Sequence, residues 1–337
     1  MTGTLRRVSV VIPAYNAENS LRACIDSALS QTLKPYEVLV INDGSSDRTG
    51  EIARNYGDKI VYIEQENQGQ GAARNKGLAQ ASGEFIAFLD ADDYWLKYFL
   101  ETCVSFLAQH SDTIAVSTGL IIKSASGEEK ILPQCLHGPE RMTVPVVLEN
   151  FYCFWAEQDH IRTGSNVIRR SLIHEAGYQR EDLRISQDLE YWGYIGTFGK
   201  WGFIPTPLWV GNSRIAFAAT GLEKKYRKRR SLCPTVESWE KRIVKRLRKE
   251  QQPCFMVVRG RVAAGYAHNK ILAGNDREAQ YIIRKYVADM PHNCLTRLMK
   301  LGVALGPVGS WVMFGVIRQK ELAKSWSLYL RHKSSNG

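Results

Sequence analysis

The chain has no pair of cysteines spaced C-x-x-C, no cluster of histidines and no internal repeat or low-complexity linker. Its seven cysteines, Cys24, Cys103, Cys135, Cys153, Cys233, Cys254 and Cys294, are widely separated and odd in number. That pattern argues for reduced thiols and against a zinc site. Cys24 lies among Leu21, Ile25, Ala28 and Leu29 at helical spacing and reads as a core residue. The seven histidines are equally scattered. No apolar signal segment opens the chain, because Arg6 and Arg7 run straight into a short strand, so a cytoplasmic location is expected.

What is present describes a folded protein. The 337 residues are 44% hydrophobic and 23% charged, enough to bury a large core and to divide into two units. The net charge of +11 conceals a division along the chain. Residues 1–220 carry 20 Lys+Arg against 26 Asp+Glu, a net of −6, and residues 221–337 carry 25 against 8, a net of +17. Two regions with opposite balances meet different partners.

Val8 to Pro13, Glu37 to Ile41, Lys59 to Ile63 and Glu84 to Leu89 are apolar runs that predict four strands. Between them the spacing predicts helices over about 17–31, capped by Asn16, then about 47–56, and within 69–81. Alternating strands and helices imply an α/β fold, a mostly parallel sheet with helices on both faces. Ligands of such sheets bind beyond the carboxyl ends of the strands. Pro13-Ala14-Tyr15-Asn16, Asn42-Asp43-Gly44 and Asp90-Ala91-Asp92 all fall at such ends. The acidic group Asp90, Asp92 and Asp93 concentrates like charge that a divalent cation would relieve. Oxygen ligands suit Mg²⁺ or Mn²⁺, ions that commonly hold a diphosphate as well. A helix cap or solvated loop is the plainer account of the same residues.

From Ile114 to about Val210 the periodicity is less regular and aromatic-rich. Residues 221–250 hold twelve Lys+Arg and four Asp+Glu. A helical pair broken at Gly274-Asn275-Asp276 is expected over Phe255 to Tyr286, and Leu298 to Ile317 is apolar but interrupted by Lys300 and Gly306-Pro307.

Four segments in series resemble the family 2 glycosyltransferases of GT-A fold. They are Val10-Val11-Ile12-Pro13-Ala14-Tyr15-Asn16-Ala17-Glu18, Val40 through Thr49, Asn67 through Gly77, and Phe88-Leu89-Asp90-Ala91-Asp92-Asp93. The resemblance implies that Pro13, Tyr15, Glu18 and Asp43 line a nucleotide pocket. Tyr15 offers a flat face to a nucleobase, and Asp43 can accept a base N–H, which for uracil is N3. Gly69 and Gly71 let the backbone approach a sugar diphosphate, and Arg74 is a cation able to contact the donor. Asp90, Ala91 and Asp92 border the donor. In the resembling family Asp92 ligates the metal, with Asp90 on the ribose or the metal's water shell and Asp93 a further contact. The metal would stabilise the departing nucleoside diphosphate.

The segment Ser186-Gln187-Asp188-Leu189-Glu190-Tyr191-Trp192 is similar to the family's acidic pair ahead of a helix, with Gln187 where a Glu is usual. Asp188 stands at the position of the catalytic base, near a helix start that favours an ionised carboxylate. Glu190 is its competitor. Thr163 to Arg170 is expected to border the acceptor, and Arg214 resembles a diphosphate contact. The Gln-x-x-Arg-Trp signature of processive members does not occur.

The expected function is therefore inverting transfer of a sugar from a nucleotide-diphospho-sugar, a UDP-sugar first, to a hydroxyl of a glycan or lipid-linked acceptor, in cell-surface polysaccharide synthesis. The expected division is a catalytic domain over 1–220 and a basic, mainly helical region over 221–337. That region lacks nucleic-acid motifs and suits an anionic membrane surface on the cytoplasmic side. Over 298–317 an interfacial or re-entrant attachment, a buried helix and a span all remain open. The rivals are a sugar nucleotidyltransferase on a related fold and a non-catalytic nucleotide-sugar-binding protein.

Overall fold

A computed structural model describes residues 6–124, 129–212 and 230–335, with side chains to residue 321. The chain forms two compact units. The first takes its described residues from 6–123, 129–182 and 187–212, and the second from 124, 183–186 and 230–335. The division expected at residue 220 falls within 213–229, outside the described residues.

In the first unit, strands β1 (Val8–Ala14), β2 (Glu37–Asp43), β3 (Val61–Gln65) and β4 (Phe85–Phe88) alternate with helices α1 (Leu21–Leu29), α2 (Thr49–Arg54) and α3 (Gln70–Gln80). After β4 come β5 (Tyr94–Trp95), α4 (Phe99–Gln109), β6 (Thr113–Lys123), β7 (Glu129–Leu132), β8 (Val146–Leu148), α5 (Phe151–Gln158), β9 (Asn166–Arg169), α6 (Ser171–Ala176), α7 (Gln187–Ile195) and β10 (Lys200–Asn212). All ten strands form one sheet of order β3-β2-β1-β4-β9-β6-β10-β5, with β7 on β6 and β8 on β10.

The sheet changes character across its width. β3, β2, β1 and β4 are parallel neighbours, as are β6 and β10, whereas β9 runs antiparallel to both β4 and β6. β1 is buried at every residue, the signature of a central strand covered on both faces, while β3 at the edge is exposed at Val61 and Glu64. The chain steps from β1 outward to β2 and β3 and then returns to the other side of β1 as β4. That reversal between β1 and β4 is a topological switch point, the place where such sheets open a crevice.

The core is dense around these strands. Leu21, Cys24, Ile25 and Ala28 bury one face of α1, and Phe99, Leu100, Cys103, Val104 and Leu107 bury one face of α4. Each buried Leu, Ile, Val or Phe among them stabilises the fold by roughly 1.5–3 kcal/mol. A second aromatic layer joins Phe151 to Trp155 and Trp201, with ring centroids 5.6 and 4.7 Å apart.

α1 begins later than its periodicity predicts, at Leu21, and Ser20 rather than Asn16 precedes it. Asn16 adopts a left-handed φ of 48° and its amide oxygen accepts from Ser46 N at 2.9 Å. A tie between two loops has taken the side chain that a helix cap would have used.

The second unit is helical: α8 (Val236–Glu240), α9 (Gln252–Ala273), α10 (Asp276–Tyr286), α11 (Cys294–Ala304) and α12 (Gly306–Ser335). α9 ends at Gly274 with φ 87°, the left-handed cap that the Gly-Asn-Asp break predicts. α11 opens with a capping box in which Asn293 and Thr296 exchange hydrogen bonds of 3.0 and 3.1 Å. Among the described residues no helix is long and apolar enough to cross a membrane. Cys24, Cys103, Cys135, Cys233 and Cys294 are free thiols.

Candidate active site

The loops that leave β1 and β2 are laced together. Ala17 N donates to Thr49 Oγ1 at 2.7 Å, Glu18 N to Asp47 Oδ2 at 3.1 Å and Arg48 N to Glu18 Oε2 at 3.2 Å. The Arg48 guanidinium also meets Glu18 at 3.5 Å. Burial alone would raise the Asp47 carboxyl, but the Thr49 hydroxyl and the backbone amides of Thr49 and Glu18 hold it below its ordinary value. Pro13 is buried within β1, whereas Tyr15 stands 50% exposed just beyond it. A polar cleft of about 530 Å³ takes in Glu18, Asn42 and Asp47 but neither Tyr15, Asp43 nor the acidic turn.

Asp43 ends β2 and is buried. Its carboxylate accepts from Gln65 Nε2, Gln68 N and Gly69 N, each at 2.8 Å. Asn67 Nδ2 donates to its carbonyl at 3.0 Å. These bonds fix the loop that launches α3, in which Gly69 takes φ 94°, a value that L side chains rarely adopt. A carboxylate oxygen can accept more than one donor, so Asp43 keeps capacity toward a ligand N–H while it organises the loop.

Beyond β4, Leu89 N still donates to Val11 O at 3.0 Å, and Asp93 N closes a turn on Asp90 O at 3.0 Å. The turn presents Asp90 and Asp92 half-buried and encloses Asp93. Arg74, 1% exposed, reaches from α3 to Asp90 Oδ1 at 2.7 Å, and Gln70 Nε2 donates to the same oxygen at 3.0 Å. Arg74 is thus an enclosed cation aimed at the acidic turn, not a surface one. Its Nη1 also approaches Gln179 Oε1 at 3.5 Å. Asn75 holds that segment, with Nδ2 donating to Gln179 O at 2.8 Å and Gln179 N donating back to Oδ1 at 2.9 Å. Burial pushes the Cys24 thiol well up, and the nearby carboxylates of Asp93, Asp90 and Asp92 push it further.

Helix α7 brings the other carboxylates. Asp188 and Glu190 are both in its first turn, yet they differ sharply. Asp188 is half-buried while Glu190 is fully buried, because residues two apart on a helix point to opposite sides. A solvated helix face is therefore excluded for Glu190. Gln187 Nε2 reaches Gln70 Oε1 at 3.4 Å, so the start of α7 connects through Gln70 to Asp90. Gly71 lies against the same helix: a Cβ there would meet Gln187 Cγ at 3.5 Å and Arg180 O at 3.4 Å. Thr163, Ser165 and Asn166 are buried, and Thr163 Oγ1 accepts from Trp192 Nε1 at 3.3 Å, so this segment supports α7 from below.

The structure thus gathers Asp90, Ala91, Asp92, Gly71 and Arg74 with the first turn of α7, and puts Tyr15 and Asp43 at the ends of the strands beside them. Arg214 lies outside the described residues. Gln70, Asn75 and Gln179 were not singled out by the sequence; only the folded chain shows that they join segments more than a hundred residues apart. Among the described residues no three His, Cys, Asp or Glu side chains converge on a metal position. Two carboxylates on one tight turn nevertheless fit Mg²⁺ or Mn²⁺, which take one or two protein carboxylates and complete their shell with phosphate and water.

The model of the family described as "Glycosyl transferase family 2" matches residues 9–176. The putative teichuronic acid biosynthesis glycosyltransferase TuaG of Bacillus subtilis (strain 168) is 33% identical over 200 residues, 57% of this chain and 73% of that protein. The chain belongs to glycosyl transferase family 2. Glycosyltransferase GlyA of Streptococcus pneumoniae serotype 4 is 40% identical over 124 residues, 36% of this chain and 18% of that one. The match spans only 18% to 57% of the length of four such curated relatives. Among solved structures, S. aureus TarS 1–349 in complex with UDP-GlcNAc superposes with a TM-score of 0.53 at 16% identity, covering 93% of this chain and 90% of that one. The mannosyltransferase PcManGT from Pyrobaculum calidifontis, in complex with GDP-Man and Mn²⁺, gives 0.53 at 17% identity, with 95% and 87% covered. The fold is GT-A-like, the α/β architecture that the motif series implies.

Proposed function

We propose that this family 2 glycosyltransferase transfers a sugar, with inversion, from a UDP-sugar to a hydroxyl of a glycan or lipid-linked glycan in cell-surface polysaccharide synthesis. The observation that carries the proposal is the continuous link from Arg74 through Asp90 and Gln70 to Gln187. It ties a turn of carboxylates to a helix whose next residue, Asp188, is reachable. The teichuronic-acid relative and the UDP-GlcNAc complex of the structural neighbour support the substrate class.

In this reading Tyr15 lies against the nucleobase and Asp43 accepts its N3–H, with Pro13 and Glu18 shaping the pocket. Gly71 and Arg74 face the diphosphate, Ala91 lies at the donor, and Arg214 is a further phosphate contact. Asp92, with Asp90, holds Mg²⁺ or Mn²⁺, which when bound supplies Lewis-acid stabilisation of the leaving diphosphate. Asp188 accepts the proton of the acceptor hydroxyl as that oxygen attacks the anomeric carbon from the face opposite the diphosphate. Glu190, enclosed, supports the helix from inside. Gln187, where an acid is usual, leaves Asp188 without a like charge beside it. Residues 1–220 act as the catalytic domain, and the +17 segment 221–337 attaches the enzyme peripherally to an anionic membrane surface on the cytoplasmic side. Nucleic acid is no partner in this scheme.

A panel of UDP-, dTDP- and GDP-sugars with and without Mn²⁺, read by thermal shift, tests the donor assignment. A metal-dependent rise for UDP-sugars is expected. Preference for the purine nucleotide would overturn the role of Asp43, and binding without any turnover would leave a nucleotide-sugar-binding protein.

A further inference from the structure

We propose that the corner between α11 and α12 seats in the interfacial layer of an anionic phospholipid bilayer, with Leu305, Val308 and Trp311 as the inserting side chains. This deepens the membrane-surface reading of residues 221–337 and rests on it. Single exposed apolar residues are ordinary, but here Leu301, Leu305, Val308, Trp311 and Val312 are 47, 59, 74, 73 and 41% exposed within twelve residues. Their phase is regular. Residues 308, 311 and 312 share one face of α12, while Gly309, Ser310, Phe314 and Ile317 on the other face are buried.

The exposed set is not a core left open, because the two helices already have their mutual contact. Ser310 Oγ donates to Gly302 O at 3.1 Å, and a Cβ at Gly302 would come within 2.9 Å of Met313 Cβ. The hairpin therefore closes on small residues near its corner, with Met299, Phe314 and Ile317 buried, and leaves Leu305, Val308 and Trp311 outward.

Charge selects the occupant. From 290 to 320 the sequence contains no Asp or Glu, and its charged residues are Arg297, Lys300, Arg318 and Lys320. Arg318 is paired with Asp276, whereas Arg297 and Lys320 flank the apolar face in exposed positions. Asp289 and Glu321 border this stretch, and Asp289 is paired with Arg259. An apolar face flanked by exposed cations complements acyl chains beneath anionic headgroups. An amphipathic hairpin of this kind lies in the interface, and Trp prefers that layer because its ring is apolar and its N–H polar. No described helix is long and apolar enough for a span.

The test is co-sedimentation of the full chain with vesicles of phosphatidylcholine alone or mixed equally with phosphatidylglycerol, for wild type and Val308→Ser/Trp311→Ser. Wild type should partition onto the mixed vesicles, and the variant about tenfold less, with its melting temperature and vesicle-free UDP-sugar hydrolysis unchanged. Should the double variant lose helicity, Val308→Ser alone must show a loss of the same sign. Equal partitioning of variant and wild type overturns the insertion and leaves the basic segment as the attachment. Failure of wild type to bind overturns both, while vesicle-free hydrolysis reports separately on glycosyl transfer. Self-association of wild type that the variant abolishes would overturn the bilayer in favour of a second copy.

Discussion

The two compact units use charge in opposite ways. In the first, charged groups are drawn inside: Arg74 and Glu190 are enclosed, Asp43 is held by three donors, and Asp90 is paired with Arg74. In the second, several carboxylates are paired at the surface, as in Glu237–Lys285 at 2.5 Å and Glu250–Arg248 at 3.1 Å, although Lys270 and Asp289 show that it encloses some charge too. Few acids meet many bases in residues 221–337, which leaves a net charge of +17. Desolvated charges interact strongly and fix geometry, while solvated ones steer association and are screened by salt. In the proposed reading, one arrangement serves the reaction site and the other the membrane surface.

The largest test of this contrast is Asp92→Asn. Metal-dependent UDP release from a UDP-sugar should fall about 10³-fold, as expected for losing several kcal/mol of leaving-group stabilisation. A manganese titration of turnover checks it, and an unchanged profile would remove Asp92 from the metal. Next come two ion-pair breaks read by urea unfolding. Arg74→Met strands a half-buried Asp90 and should cost about 3 kcal/mol, whereas Lys285→Met, at an exposed pair, should cost below about 1 kcal/mol. Equal costs would break the comparison. Gln187→Glu should be milder: a carboxylate facing Gln70 Oε1 disturbs the amide that donates to Asp90, and donor KM should rise about fivefold.

The smallest effect is one of pH. Burial raises the Glu237 carboxyl, but the Lys285 ammonium and neighbouring hydrogen bonds outweigh it and bring it down to about 2. A carboxyl depressed in the folded state adds stability above its unfolded value near 4.5, and loses it as pH falls toward about 2. Acid unfolding of Glu237→Gln should show a correspondingly shallower pH dependence in that window.

Much of the first unit was legible in its sequence because its signals are local. An apolar run buried at every residue, as in β1, and a Gly at a left-handed φ, as at Gly69, each write their structure into a few adjacent letters. The strand-end positions of Tyr15, Asp43 and Asp90 follow from the same runs. What sequence could not supply was pairing over distance. Asn16 appears as a helix cap until the β2 loop claims its amide, and Glu190 as a competitor of Asp188 until α7 is packed and encloses it. Gln70 is an ordinary polar residue until Gln187 arrives 117 positions later. The exposed hairpin corner was equally hidden, since 298–317 reads as apolar whether its side chains face inward or out.

The central claim, that Asp188 takes the acceptor proton beside a donor held at the Asp90–Asp92 turn, is tested most directly by Asp188→Asn. UDP binding by calorimetry should match wild type while sugar transfer falls about 10²- to 10⁴-fold, the range for a lost general base. Full transferase activity in that variant would contradict the account.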